Sequence, residues 1–267
     1  METLGRFITF EGGEFVGKST IATECFVKVL DDLGMNARTS REPGGTPEGE
    51  AIREEIFARL KAKAPVEELV GLFYRARRLH LDSVILPFLG EQRDRDGVMI
   101  LDRYVDSSIV LQGMEGGVPL EKFVELNKEQ ALGFYPDMTV IMYFPEEKFE
   151  PVFNLRKLHA ASKDAKRSIT EWDKGSIELQ LRRQRQYCSL PQTYERLGVA
   201  RQFAFVDASQ HPREVLLSCL RVVSPLFANR YSYEDMLESY TRLSRNGVWN
   251  PLDTVWNEQQ QLQYANA

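Results

Sequence analysis

The segment Gly12-Gly13-Glu14-Phe15-Val16-Gly17-Lys18-Ser19 fits the pattern GxxxxGK[ST]. Glycines in such a run let the backbone wrap an anion with successive N–H groups turned inward. The helix that follows adds partial positive charge at its N-terminus. The lysine reaches the outer phosphates of a nucleotide, and the serine hydroxyl is a ligand for Mg²⁺. Gly12, Gly13, Val16, Gly17, Lys18, Ser19 and Thr20 are therefore the candidate nucleotide-phosphate-binding residues, and Lys18 a candidate catalytic one. Phosphate binding alone does not name a reaction, because several protein classes share this loop.

The loop needs a strand before it and a helix after it. Arg6 to Glu11 is a β-branched and aromatic run that predicts the strand. Ile21, Cys25, Val29 and Leu33 recur at helical spacing, which predicts a helix from Lys18 to Leu33, with Gly34 as its C-cap. A second strand is expected at Asn36 to Ser40, and Thr46-Pro47 reads as N-cap and first helical position. Val66 to Leu89 predicts a long helix. Val98 to Leu101 and Met138 to Phe144 are continuous apolar runs, as in strands buried on both faces. Leu120 to Leu132, Ser176 to Leu197 and Arg213 to Val223 read as helices, and Phe203 to Val206 as a last strand. Lys148 to Lys174 is basic, polar and weakly periodic, and is expected to lie outside the core. The alternation implies an α/β fold with a parallel sheet of about five strands and helices on both faces, and the glycine-lysine loop after the first strand makes the expected fold the three-layer P-loop NTPase type. Residues 1–228 read as one domain. Residues 229–267, rich in Tyr, Trp, Asn, Gln and Ser, read as a C-terminal extension in which Trp249 and Trp256 cover an apolar patch or meet a partner.

The 267 residues suffice for one large core, and the net charge of −5 argues against a nucleic-acid partner held through phosphates. Three dispersed cysteines, Cys25, Cys188 and Cys219, suit free thiols in a reducing compartment. No apolar run reaches the roughly 18 residues of a membrane span. No secretory signal is visible, and the expected location is the cytoplasm.

Four further segments resemble those of bacterial-type thymidylate kinases. They are Arg41-Glu42-Pro43-Gly44-Gly45-Thr46-Pro47 with Gly49-Glu50 and Ile52-Arg53; Leu72-Phe73 through Arg77 to His80; Asp102-Arg103-Tyr104-Val105-Asp106-Ser107-Ser108 with Gln112-Gly113; and Tyr135-Pro136-Asp137-Met138-Thr139. Val206-Asp207-Ala208 is similar to the family's adenine-side loop. The resemblance runs from about Arg6 to Val223. It implies a P-loop kinase passing phosphate from ATP, with Mg²⁺, to a pyrimidine deoxynucleoside monophosphate, dTMP first. It implies that Glu14 faces the sugar 3′-hydroxyl, that Phe73 stacks on the base, and that Arg77 reads the base edge. Arg103, helped by Arg53 and Arg41, would hold the acceptor phosphate, since guanidinium forms paired hydrogen bonds to phosphate oxygens. Glu42 would help position the acceptor site, and Ser107, Ser108 and Gln112 would line base and sugar. Asp102 would partner Ser19 at Mg²⁺, and His80 and His159 are left as structural or surface residues. The family's usual homodimer is also implied, with the apolar stretch Leu69 to Leu89 compatible with it.

The chain departs from the family pattern at several points. Phe15 stands where one subgroup has a loop arginine and the other a glycine, so a catalytic arginine must come from the lid, about residues 147–174. Glu171 falls at the usual position there. Arg167 is assigned the role, with Arg156 or a Lys163 and Lys166 cluster as alternatives. Leu111 replaces a tyrosine near the sugar, and Tyr143 a small polar residue or aspartate. A modified pyrimidine nucleotide, another acceptor including a base within DNA, and a non-catalytic nucleotide-binding protein stay open as alternatives.

Overall fold

The computed structural model describes residues 5–91, 97–163 and 174–245. Strand β1 (Arg6–Gly12) runs into the glycine loop, after which Ser19–Phe26 winds with π-type hydrogen bonding into α1 (Val27–Asp32). Then come β2 (Asn36–Arg41), α2 (Pro47–Lys61) and α3 (Val66–His80). The α3 path continues through Leu81–Ile85 into α4 (Leu86–Glu91), as the long apolar stretch predicted. The next elements are β3 (Gly97–Asp102), α5 (Val105–Ser108) extended by Ile109–Glu115, α6 (Leu120–Gln130) and β4 (Met138–Tyr143). The last are α7 (Phe149–Lys163), α8 (Ile177–Cys188), α9 (Leu190–Arg196), β5 (Phe203–Asp207), α10 (Pro212–Val223) and α11 (Tyr233–Arg245).

The five strands form one parallel sheet in the order β2-β3-β1-β4-β5. Side chains alternate across it. Ile8, Phe10, Val98, Ile100, Val140 and Met142 meet Phe26 and Leu30 and, from α10, Leu216 and Leu220. Phe7, Met99, Leu101 and Ile141 meet Tyr74, Leu89, Ile109 and Tyr187 on the other face. Each fully buried side chain of this kind contributes about 1.5–3 kcal/mol relative to exposure. The chain leaves β1 toward the first face and β3 toward the second, which opens a crevice between their C-terminal ends. Register sets Phe10 beside Asp102 and Asp102 beside Arg41, so the glycine loop, Arg103 and Arg41 share that end of the sheet. Thr46 caps α2 as its sequence indicates, its hydroxyl accepting from Gly49 N at 2.9 Å, with Pro47 in the first turn.

One expectation is corrected. Lys148 to Lys174 is not uniformly outside the core, for Phe149–Lys163 is helical and Phe149, Val152 and Phe153 are buried against the first sheet face. Three apolar residues at helical spacing were masked by the basic residues around them. The first part of the extension is also packed. Met236 is fully buried on the same face, Tyr231 Oη donates to Leu33 O at 2.8 Å, and Ser239 Oγ donates to Asp32 Oδ2 at 2.7 Å. Trp249 and Trp256 lie outside the described residues.

Candidate active site

The glycine loop has positive φ at Gly12 (137°), Phe15 (63°) and Gly17 (90°). A Cβ on Gly12 would stand 2.2 Å from Met142 O, so only glycine fits there. Phe15 accepts a conformation that costs a non-glycine residue, and its ring packs edge-on against Phe153 at 5.3 Å. Phe15 thereby joins the loop to α7. The Lys18 side chain crosses the loop, Nζ donating to Gly13 O at 2.6 Å and Gly12 O at 3.2 Å. Burial, then the Arg103 guanidinium, pull its pKa down to about 8, although Glu14, Asp102 and Glu11 oppose this.

Ser19 Oγ donates to Asp102 Oδ2 at 2.5 Å. Asp102 Oδ1 is buried with no hydrogen-bond partner among the described residues. Two oxygen ligands beside a phosphate loop are what a hard cation such as Mg²⁺ takes from protein, phosphate oxygens and water completing its shell. Among the described residues there is no cluster of three or more His, Cys, Asp or Glu side chains that would form a self-contained metal cage.

Arg103 follows β3 in a left-handed conformation, φ 73°. Its Nη1 donates to Tyr187 Oη at 2.7 Å, Ser107 Oγ at 3.0 Å and Gly12 O at 3.2 Å, while Nη2 pairs with Glu14. Burial opposes its charge, but Tyr187, Glu14, Asp102 and Glu11 more than offset that, so its pKa is raised. The Glu11 carboxylate is fully buried and accepts from Tyr104 N at 2.7 Å, Ser107 N at 3.3 Å and Ser107 Oγ at 2.6 Å. It holds the turn that carries Arg103. Arg53 lies over Phe57 at 4.8 Å and donates to Pro43 O at 2.8 Å. Burial, then the charges of Arg41 and Arg103, lower its pKa, so each of those two guanidinium groups lies within electrostatic reach of Arg53. Arg41, half exposed, pairs with Glu50 at 2.9 Å.

Beside this cluster, Glu42 Oε2 accepts from Arg77 Nε at 2.8 Å and Oε1 meets His80 Nδ1 at 3.2 Å. Arg77 Nη2 donates to Ser108 Oγ at 3.2 Å, and its guanidinium lies between the rings of Tyr74 (4.7 Å) and Tyr104 (5.0 Å). Arg77 Nη1 and Gln112 Oε1 are buried without hydrogen-bond partners among the described residues. One is a donor and the other an acceptor. Ser108, which accepts from Arg77, and Gln112 are four residues apart in the helical run that begins at Val105. Phe73 is only 7% exposed and packs with Ile52, Ile56, Leu69 and Ala76 between α2 and α3.

Arg167 and Lys166 lie outside the described residues. The lid-side cation that reaches the loop among those described is Arg156 of α7. It donates to Ala208 O and lies over the Phe144 ring at 5.6 Å, and a Cβ on Gly17 would meet its Nη1 at 3.2 Å. Glu11, Tyr104 and Tyr187 were not among the sequence candidates. An acid ending an otherwise apolar strand is the signal that marks Glu11. Nothing local marks Tyr187, whose partner Arg103 is 84 residues away. Leu111 is buried in the second core cluster, and Tyr143 packs edge-on against Phe205 at 6.3 Å.

The thymidylate kinase family model matches residues 10–211, most of the chain. The chain belongs to the thymidylate kinase family. Thymidylate kinase of Halalkalibacterium halodurans is 29% identical over 221 residues, covering 83% of this chain and 97% of that one. Thymidylate kinase of Staphylococcus haemolyticus is 35% identical over 139 residues, 52% of this chain and 64% of that one. The crystal structure of thymidylate kinase from Ehrlichia chaffeensis superposes with a TM-score of 0.57 at 21% identity, covering 83% of this chain and 99% of that one, which establishes the shared fold. Among the described residues, no helix is long and apolar enough to cross a membrane.

Proposed function

We propose that this thymidylate kinase-family chain transfers the γ-phosphoryl group of ATP to dTMP, giving ADP and dTDP. The reading is carried by one observation: the loop bearing Lys18 and the Arg41, Arg53 and Arg103 cluster converge at one end of the sheet. Two anionic groups bound there meet end to end, and phosphoryl transfer is mainly positioning and charge neutralisation. Lys18 and the loop N–H groups hold the donor phosphates. Arg103, with Arg53 and Arg41, holds the acceptor phosphate. A Mg²⁺ ion held by Ser19 and Asp102 would supply further charge neutralisation at the donor phosphates. No side chain need remove a proton, because a phosphate monoester with a second pKa of about 6 is mostly ionised at neutral pH.

The base is read by the two unused atoms. A donor at Arg77 Nη1 and an acceptor at Gln112 Oε1 complement the O4 and N3–H of thymine or uracil. Cytosine, with an acceptor at N3 and a donor at N4, meets both with the wrong sign. Phe73, on the helix face of Arg77, is the proposed ring neighbour of the base through the small part of its surface, 7%, that its packing between α2 and α3 leaves exposed. Glu14, adjoining Arg103, is the proposed sugar contact. For the lid cation, the contacts of Arg156 with the Ala208 loop and Gly17 favour it over Arg167. Residues 229–267 are read as an addition to a kinase domain at 1–228. A cytoplasmic homodimer is the assembly the family resemblance supports.

The test is ADP release with ATP and a panel of dTMP, dUMP, 5-substituted dUMP, dCMP and dGMP, with Lys18→Ala as the blank. Turnover of dTMP above the other acceptors is expected. A 5-substituted dUMP preferred over dTMP would move the assignment to a modified pyrimidine. Absence of ADP release with every acceptor would overturn the kinase reading.

A further inference from the structure

We propose that His80 is a positioning residue for the acceptor base, acting through Glu42 on Arg77. This rests on the reading of Arg77 as the reader of the base edge. His80 is fully buried, and each ring nitrogen has a polar neighbour: Nδ1 meets Glu42 Oε1 at 3.2 Å and Nε2 meets Ser40 Oγ at 2.8 Å. A carboxylate accepts and does not donate, so Nδ1 carries the proton in that contact. Glu42 then has one oxygen on His80 and the other on Arg77 Nε at 2.8 Å. Arg77 is fixed in turn by Ser108 and by the rings of Tyr74 and Tyr104. The direction of its unused Nη1 is thus the last step of a chain from Ser40 through His80 and Glu42.

The backbone is built around this imidazole. A Cβ on Gly45 would lie 2.4 Å from His80 Nε2, so the loop after β2 closes directly on the ring. His80 thereby ties together the end of β2, the Glu42 loop and the C-terminal end of α3. Buried polar groups of this kind lock orientation when every member is satisfied. Removing the imidazole leaves Glu42 Oε1 without its donor and frees the carboxylate to turn away from Arg77.

The experiment compares His80→Asn, His80→Gln, His80→Ala and Ser40→Ala with the unaltered full-length chain. KM for dTMP, KM for ATP and the ratio of kcat/KM for dTMP over dCMP are measured. Asparagine places an amide donor where Nδ1 stands, whereas glutamine reaches toward the Nε2 position. His80→Ala should raise KM for dTMP about 10- to 100-fold, the effect of one lost hydrogen bond to a charged group. KM for ATP should stay within about twofold, and the dTMP over dCMP ratio should contract. His80→Asn should recover more of the dTMP affinity than His80→Gln, and Ser40→Ala should show the same pattern more weakly. If His80→Ala does not fold, His80→Asn against His80→Gln and Ser40→Ala decide the matter. Equal behaviour of the asparagine and glutamine variants, or KM for ATP rising in step with KM for dTMP, would overturn the inference. Failure of the unaltered chain to phosphorylate dTMP would instead overturn the functional reading beneath it.

Discussion

The Ser19 hydroxyl donates to Asp102 Oδ2 at 2.5 Å, joining the end of the glycine loop to the end of β3. That contact spans 83 residues of sequence and two adjacent strand ends. It occupies one carboxylate oxygen and leaves Oδ1 buried and unpaired among the described residues. A buried carboxylate oxygen is costly unless a cation or a hydrogen-bond donor pairs with it.

Asp102→Asn tests that role directly. The amide keeps an oxygen for Ser19 but removes the negative charge. The Mg²⁺ concentration for half-maximal activity should rise roughly 10- to 100-fold, the usual range for altering a group that supports a metal site. KM for the acceptor nucleotide should change little. A magnesium titration of initial rates measures this. An unchanged titration in the variant would remove Asp102 from the metal site.

Lys18 predicts a pH limb. Burial, then Arg103, set its pKa at about 8 in the free protein. Below that pH the ammonium is charged and can pair with donor phosphates, and above it the charge is lost. The value of kcat/KM for ATP, which reports the free protein, should therefore fall as pH rises through about 8. Bound phosphates favour the charged form, so kcat at saturating ATP should hold to higher pH. Profiles of both quantities between pH 6 and about 9.5 decide it. A kcat/KM profile flat across that range would contradict the assignment.

Much of this was open to reading in the chain itself. The strand before the glycine loop, the cap at Thr46 and the two buried runs Val98 to Leu101 and Met138 to Phe144 all follow from local spacing and fall where expected. So does the gathering of Arg41, Asp102 and Arg103, because parallel strands put their C-terminal ends together. What escaped depends on distant contacts. Phe149, Val152 and Phe153 are core only because α7 lies against the first sheet face, where Phe153 meets Phe15. The approach of Arg156 to Gly17 likewise depends on the path of α7 and not on spacing within the lid. His80 reads in sequence as a bland helical residue, and its meaning comes from Ser40 and Glu42, 40 and 38 residues earlier.

The extension supplies a stability prediction. Met236 of α11 is fully buried in the cluster that contains Phe26, Val29 and Leu30 of the helix after the glycine loop. Met236→Ala should cost about 2–5 kcal/mol of unfolding free energy, the range for a truncated core side chain. Denaturant unfolding at fixed pH measures the loss. An effect under about 0.5 kcal/mol, typical of surface positions, would mean that α11 does not hold to the core in solution.

Glu11 should give folding stability a pH dependence of unusual sign for a carboxylate. Burial, then the nearby Asp106, push its pKa from 4.5 up to about 7, and Arg103 with the Ser107 and Tyr104 hydrogen bonds offsets only part of this. Between those two values the folded chain holds a proton that the unfolded chain has released. The contribution is therefore fully present below pH 4.5 and is lost as pH rises through about 7. Glu11→Gln is neutral at every pH, and its amide can still accept from Tyr104 N and donate to Ser107 Oγ. Urea unfolding at pH 5 and pH 8 should show the unaltered chain losing stability across the interval by more than the variant does. Equal pH dependence in the two would mean that Glu11 is ionised throughout, balanced by Arg103 with the Ser107 and Tyr104 hydrogen bonds, and that the turn carrying Arg103 is held by a carboxylate and not by a protonated carboxyl.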